Sequence, residues 1–301
     1  MALTCPTCEV AAAEYVGMAD DGRNEMRCGS CGHRWLLGAR PVSPRAVVPR
    51  PAAVKAPTRT RASAAASGPA PSSPGGTTAT RPAPARFPAA EEITEAAQAR
   101  LTRLKTAYRR HRPAPDPYAA EFRSLYTLVF SAEGLPHAEP QMLKDFANST
   151  TLAHHGNVSV FNREWNRLGD RDAATKVRGV VEYLLRGDGS VSPEDRFTQL
   201  VDPKFPLGMT GFRESLLTRV LCVAEPERFL PILVSTSAQD VGKAEIARRV
   251  LDLELPAPNR TSLTVGRFAF RSNDLLVEAV GAGFRDLDDA ATFLWWAKDQ
   301  E

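Results

Sequence analysis

Cys5-Pro6-Thr7-Cys8 and Arg27-Cys28-Gly29-Ser30-Cys31-Gly32-His33-Arg34-Trp35 decide how the N-terminal end of this 301-residue chain is read. Each segment carries one C-x-x-C pair, and 19 residues separate Cys8 from Cys28. Two residues between thiols let one tight turn present both sulfurs to one ion. Two such turns close a tetrahedral shell, so Cys5, Cys8, Cys28 and Cys31 are expected to hold a structural Zn2+. Pro6 stiffens the first turn, and Gly29 and Gly32 give the second the backbone freedom it needs. The stretches around Tyr15-Val16 and Arg34-Trp35-Leu36-Leu37 suit a small antiparallel ribbon. His33 follows the fourth cysteine and is surplus to a complete shell. A closed four-sulfur site leaves no position for a reacting water, so this ion is not expected to catalyse. About 38 residues cannot bury enough surface alone, so the metal should supply the folding free energy. Disulfides are not expected without a secretory signal, and a redox dithiol would want a βαβ context that is missing here.

These same residues, C-P-T-C and R-C-G-S-C-G-H-R-W, resemble the zinc-ribbon family of transcription factors, polymerase subunits and prokaryotic regulatory proteins. The resemblance spans residues 1–38. It implies a partner that is nucleic acid in some members and protein in others.

Charge is distributed unevenly. Residues 1–38 carry 3 basic and 5 acidic side chains, residues 39–90 carry 8 basic and none acidic, and residues 91–301 carry 27 basic and 30 acidic. The pI near 8.6 therefore comes from one stretch and does not mark a basic folded domain. That stretch holds 11 of the 24 prolines and 15 alanines, and its large apolar residues are four valines and Phe87. It cannot bury enough surface to offset chain ordering, so residues 39–90 are expected to be a disordered, extended tether. Its dispersed charges lack aromatic interleaving, which reads as solubility more than as base contact.

From Glu91 the pattern turns helical. Ile93, Ala97, Leu101, Leu104 and Tyr108 recur at three- and four-residue spacing, predicting an amphipathic helix over 91–112 with six basic residues between Arg100 and Arg112. A mostly α domain over 113–301 should follow. Asp116-Pro117 and Ser192-Pro193-Glu194 open helices there, and stripes run through Phe122–Val129, Met142–Phe146, Val160–Leu168 and Val177–Leu185. Further helices are expected near Phe212–Ala224, Asp240–Leu253, Asn273–Val280 and Asp288–Lys298, and the best strand candidate is Thr264–Phe270. The fold class is thus a small β zinc ribbon plus a mostly α C-terminal domain, joined by a Pro/Ala-rich linker.

Two further segments carry a resemblance. Leu216–Leu233 contains Glu225-Pro226-Glu227-Arg228-Phe229-Leu230-Pro231-Ile232, with Lys243 and Ile246 following. Ser272-Asn273-Asp274-Leu275-Leu276 precedes a terminal Phe293-Leu294-Trp295-Trp296. Together, over residues 205–300, they resemble the helical region that precedes the AAA+ motor in McrB-like restriction and defence proteins. The motor itself does not follow: Gly242-Lys243-Ala244 is not a phosphate-binding loop, so nucleotide hydrolysis is not expected. Leu207-Gly208-Met209-Thr210-Gly211-Phe212 is similar to the hairpin of helix-hairpin-helix DNA binders, with its glycines one residue too far apart.

Candidate catalytic groups are sparse. His154-His155 are adjacent, so on a helix they would point about 100° apart, and no H-E-x-x-H accompanies them. Cys222 lies in an apolar run and reads as a buried hydrophobe. Asp202-Pro203-Lys204 lacks nuclease spacing. The expected protein is a non-enzymatic zinc-binding adaptor or recognition protein, cytoplasmic and without a membrane segment. Its partner would be nucleic acid or a protein such as a motor or nuclease subunit, within a prokaryotic restriction or phage-defence system. A small-molecule substrate is not expected. The alternatives are a transcription-associated regulator contacting RNA polymerase, and an enzyme subunit with a site around His154, His155 and Arg178.

Overall fold

The computed structural model describes residues 5, 7–8, 10, 13–18, 24–37, 86–153, 158–236 and 242–300. The expected tether falls almost wholly outside them. At the N-terminal end, β1 (Ala13–Met18), β2 (Asn24–Cys28) and β3 (Arg34–Leu37) form an antiparallel sheet in that order. Met26 pairs with Trp35 on one side of β2 and with Tyr15 on the other. The β1–β2 register slips between Tyr15 and Gly17, which makes Val16 the extra residue of a bulge. Side chains alternate along β2, so Met26 and Cys28 share one face and Glu25 and Arg27 the other. Glu25 meets Arg34 across the strands at 3.2 Å.

Ten α-helices lie among the described residues: α1 (Glu95–His111), α2 (Pro117–Val129), α3 (Pro140–Asn148), α4 (Ser159–Leu168), α5 (Asp170–Arg186), α6 (Pro193–Val201), α7 (Glu214–Ala224), α8 (Lys243–Leu251), α9 (Val265–Val280) and α10 (Leu287–Lys298). The anticipated start signals work as caps. The side chains of Thr94, Asp116 and Ser192 accept from backbone N–H groups of the first turns of α1, α2 and α6. The acids before α10 behave likewise, with Asp286 accepting from Asp289 N.

Thr264–Phe270 is not a strand. Thr264 caps α9, its hydroxyl accepting from Arg267 N, and the segment forms the first turns of that helix. β-branched and aromatic residues there suggested extended chain, but packing overrode the preference. Gly266 sits so close to α6 that a Cβ would lie 1.9 Å from the Glu194 carbonyl, so α9 can seat only where glycine lets the two helices touch.

Two hydrophobic clusters fill the body. One gathers Phe122, Tyr126, Phe130 and Phe146 with residues from α4 to α7, while the other gathers Leu101, Tyr108, Ile246, Val250, Phe293 and Leu294 from α1, α8 and α10. α9 serves both, giving Ala269 and Phe270 to the first and Leu275 and Leu276 to the second. The small sheet joins the first cluster. Met26 is 1% exposed and belongs to it, Trp35 packs on its edge, β1 packs on α3, and β3 packs on α2.

Three of the six basic residues between Arg100 and Arg112 bind other helices. Arg100 donates to the carbonyls of Arg249 and Val250 at the end of α8, Lys105 donates to Val280 O at the end of α9, and Arg112 pairs with Asp289. Exposed carbonyls at helix C-termini attract cations, so Arg100 and Lys105 have a structural role here.

Candidate metal centre

The two cysteine pairs converge. Backbone bonding from Cys5 N to Val10 O at 3.0 Å folds the first turn. In the second, Gly32 takes φ +73°, Gly32 N donates to Cys28 O at 2.8 Å, and Cys28 N donates to His33 O at 2.8 Å. That turn needs a positive φ, which glycine adopts without penalty. Cys28 closes β2 and Cys31 sits in the turn before β3.

All four sulfurs lie within 4.8 Å of one another, with Cys5 Sγ 3.7 Å from Cys31 Sγ and Cys8 Sγ 3.6 Å from Cys28 Sγ. These distances exceed a disulfide bond length of about 2.05 Å, and all four thiols are free. A tetrahedral ion with metal–sulfur bonds of about 2.3 Å would set its sulfurs about 3.8 Å apart. The chain alone thus brings the donors close to the spacing of a closed four-sulfur shell.

Electrostatics agree. Burial opposes ionisation of Cys5, yet backbone N–H groups of Thr7 and Cys8 bring its thiol down to about 6. Cys8 has the opposite fate: a backbone N–H of Val10 favours its thiolate, but the neighbouring sulfurs and burial push it up to about 12. Neighbouring sulfurs thus oppose ionisation of Cys8, and a cation among them would offset that repulsion. His33 is exposed, stacks on Trp35 at 6.1 Å and is not among the clustered donors.

The other sequence candidates among the described residues do not assemble with this centre. His154 and His155 lie outside the described residues. Arg178 donates to Ala138 O at 2.8 Å and so fastens the turn before α3. Cys222 is 2% exposed, donates to Leu230 O at 3.3 Å, and burial pushes its thiol up to about 12, which makes it a poor nucleophile. Asp202 Oδ1 accepts from Lys204 N in a local turn. Gly211 has φ +85°, and a Cβ there would lie 2.3 Å from Phe161 N, so this glycine serves the approach of the loop to α4.

The segments 216–233 and 272–276 prove to be in contact. The Asn273 amide accepts from Leu230 N at 3.0 Å and donates to Arg228 O at 2.8 Å, while Phe229 meets Phe270 edge-on at 5.1 Å. Buried Lys243 donates to Ala269 O at 3.0 Å, and burial holds its ammonium down to about 8. Of the terminal tryptophans, Trp296 packs on Tyr108 at 5.6 Å and Trp295 lines a cavity.

Sequence reading missed the buried Arg219. Its guanidinium lies 4.8 Å from the Phe122 ring and donates to the carbonyls of Phe146, Ser149 and Thr151, and it has no acidic partner among the described residues. No helix among the described residues is long and apolar enough to cross a membrane. Comparison with family models, curated proteins and solved structures finds no match to this chain.

Proposed function

We propose that this chain is a zinc-dependent, non-enzymatic recognition protein of the reducing cytoplasm. The N-terminal sheet is its reading head, and the helical body is the unit that docks it to a larger assembly. The observation that carries this reading is the four-thiol cluster at tetrahedral spacing. Zn2+ suits a reduced four-sulfur set, and a saturated shell supports a structural role. The partner class follows from the two resemblances: nucleic acid, or a motor or nuclease subunit of a restriction or phage-defence system. Residues 39–90, with 8 basic and no acidic side chains, add sequence-independent attraction to phosphate.

The experiment is a salt-titrated binding series on the full chain and its Cys31→Ser variant, with duplex and single-stranded DNA. Binding that weakens steeply with salt in the metal-loaded protein and is lost or weakened in the variant supports a metal-built reading head. Equal binding by both assigns the attraction to the tether. No binding by the metal-loaded protein at low salt overturns the nucleic-acid reading, and metal-free purified protein overturns the whole of it.

A further inference from the structure

Away from the cysteines, the helical body holds a cavity of about 800 Å³, within the size range of small-molecule sites. Among the described residues, four stretches distant in sequence line it: residues 113–123, 152–153, 231–236 and 285–295. Pro113, Pro115, Leu233 and Trp295 give it an apolar wall. Prolines fix their own φ and offer no N–H, so that wall is rigid and poor in donors, which lowers the cost of ordering on binding.

The rest of the lining is ionic, with Asp116, Asp286, Asp288 and Asp289 against Arg123 and Arg285. Both α2 and α10 begin here, and such helix N-termini usually favour anions. In this cavity they are already answered. Asp116 Oδ1 accepts from Tyr118 N, and Asp286 Oδ1 accepts from Asp289 N, each at 2.9 Å. Asp289 takes both Arg112 and Arg285, and Asp288 takes Arg123. The arginines are thereby committed, while Asp116 and Asp286 have no ion-pair partner among the described residues. Burial is the main reason the Asp288 carboxyl is raised; Arg123 pulls it back down, and Asp286 and Asp116 add a smaller push upward.

We propose that this cavity binds an organic ammonium ion with a flat apolar body. The body lies along the proline and leucine wall against Trp295, and the ammonium group meets the unpaired oxygens of Asp116 and Asp286. This goes beyond the recognition role of the sheet and does not depend on it.

Fluorescence titration of the full, metal-loaded chain with dansylcadaverine tests the proposal, using its N-acetylated form and dansyl-6-aminohexanoate as neutral and anionic counterparts. The cationic probe should bind at least about tenfold more tightly than either counterpart. A double Asp116→Asn, Asp286→Asn variant keeps both caps, because asparagine caps as well as aspartate, and should weaken the cationic probe about tenfold. Ala120→Trp fills the cavity from an exposed position of α2 and should abolish binding. Equal binding of all three probes, preference for the carboxylate, no binding by any, or unchanged binding in either variant overturns the assignment. Should the double variant fail to fold, the probe series and Ala120→Trp decide it.

Discussion

Met26 on β2 lies directly opposite Trp35 on β3, and this pair forms the seam between the small sheet and the helical body. Because Met26 and Cys28 occupy the same face of β2, the cysteine cluster and the seam are built on one short strand. Removing the metal should therefore disturb more than the N-terminal turns. Purified protein is expected to carry about one zinc per chain. Stripping it with a chelator, or replacing Cys5 or Cys31 by Ser, should increase amide exchange in β2 and also in α2, where β3 packs. Elemental analysis and hydrogen exchange read both effects.

Met26→Ala tests the seam without touching a sulfur. Truncating a buried methionine costs about 2–5 kcal/mol in a closed core. We expect the low end, because the sheet can separate from α2 and α3 instead of leaving a void. The metal should stay bound while exchange in α2 rises, and a metal content falling with the mutation would show that seam and centre cannot be separated.

Arg219→Ala should be among the most damaging single changes. Three backbone carbonyls, of Phe146, Ser149 and Thr151, rely on one buried guanidinium, which burial holds down to about 9. Leaving them unpaired costs about 1–3 kcal/mol each where water cannot reach them. Arg219→Lys recovers little, since a single ammonium cannot spread over three acceptors as the planar fork does. Chemical denaturation measures the loss.

Asp145 predicts a pH dependence of opposite sign to the usual carboxylate. It is 1% exposed, its Oδ1 accepts from the Gln141 amide at 2.7 Å, its Oδ2 has no partner, and burial raises its carboxyl to about 7. The folded state therefore holds a proton that the unfolded chain releases near pH 4. Stability falls as pH rises from about 4 to about 7 and then levels off. Asp145→Asn should be more stable than wild type above pH 7, with the advantage vanishing near pH 4. Taking the difference between the two proteins cancels acid release of the metal, and thermal unfolding across that range checks the sign.

Gly211→Ala separates the two meanings of the Leu207–Phe212 loop. If the glycine serves the approach to Phe161, alanine destabilises the body by more than the roughly 1–2 kcal/mol of a left-handed backbone alone, because the Cβ also collides with α4. A variant that keeps its melting temperature but loses DNA binding would return the loop to a phosphate-contacting role.

Features encoded within a few residues were readable in advance. The cysteine spacing placed all four clustered sulfurs, and Asp116-Pro117 and Ser192-Pro193 marked helix starts that the structure retains. Contacts between distant segments were not readable. The cavity needs residues from 113 to 295, the carbonyl partners of Arg219 lie some seventy positions away, and the glycine that lets α9 touch α6 looks ordinary in sequence. Thr264–Phe270 failed for the same reason: its residue types favoured a strand, but the hydroxyl at its head and the neighbour it packs on made it a helix.

The side chains that α1 lends to other helices set where the body can be cut. A fragment beginning at Pro113 would strip Arg100 and Lys105 from the tails of α8 and α9, remove Arg112 from Asp289, and expose the underside of Tyr108's neighbours in α10. Anyone trimming this molecule for expression should keep the seventeen-residue α1 as a keystone, however much its arginines look like an appendage.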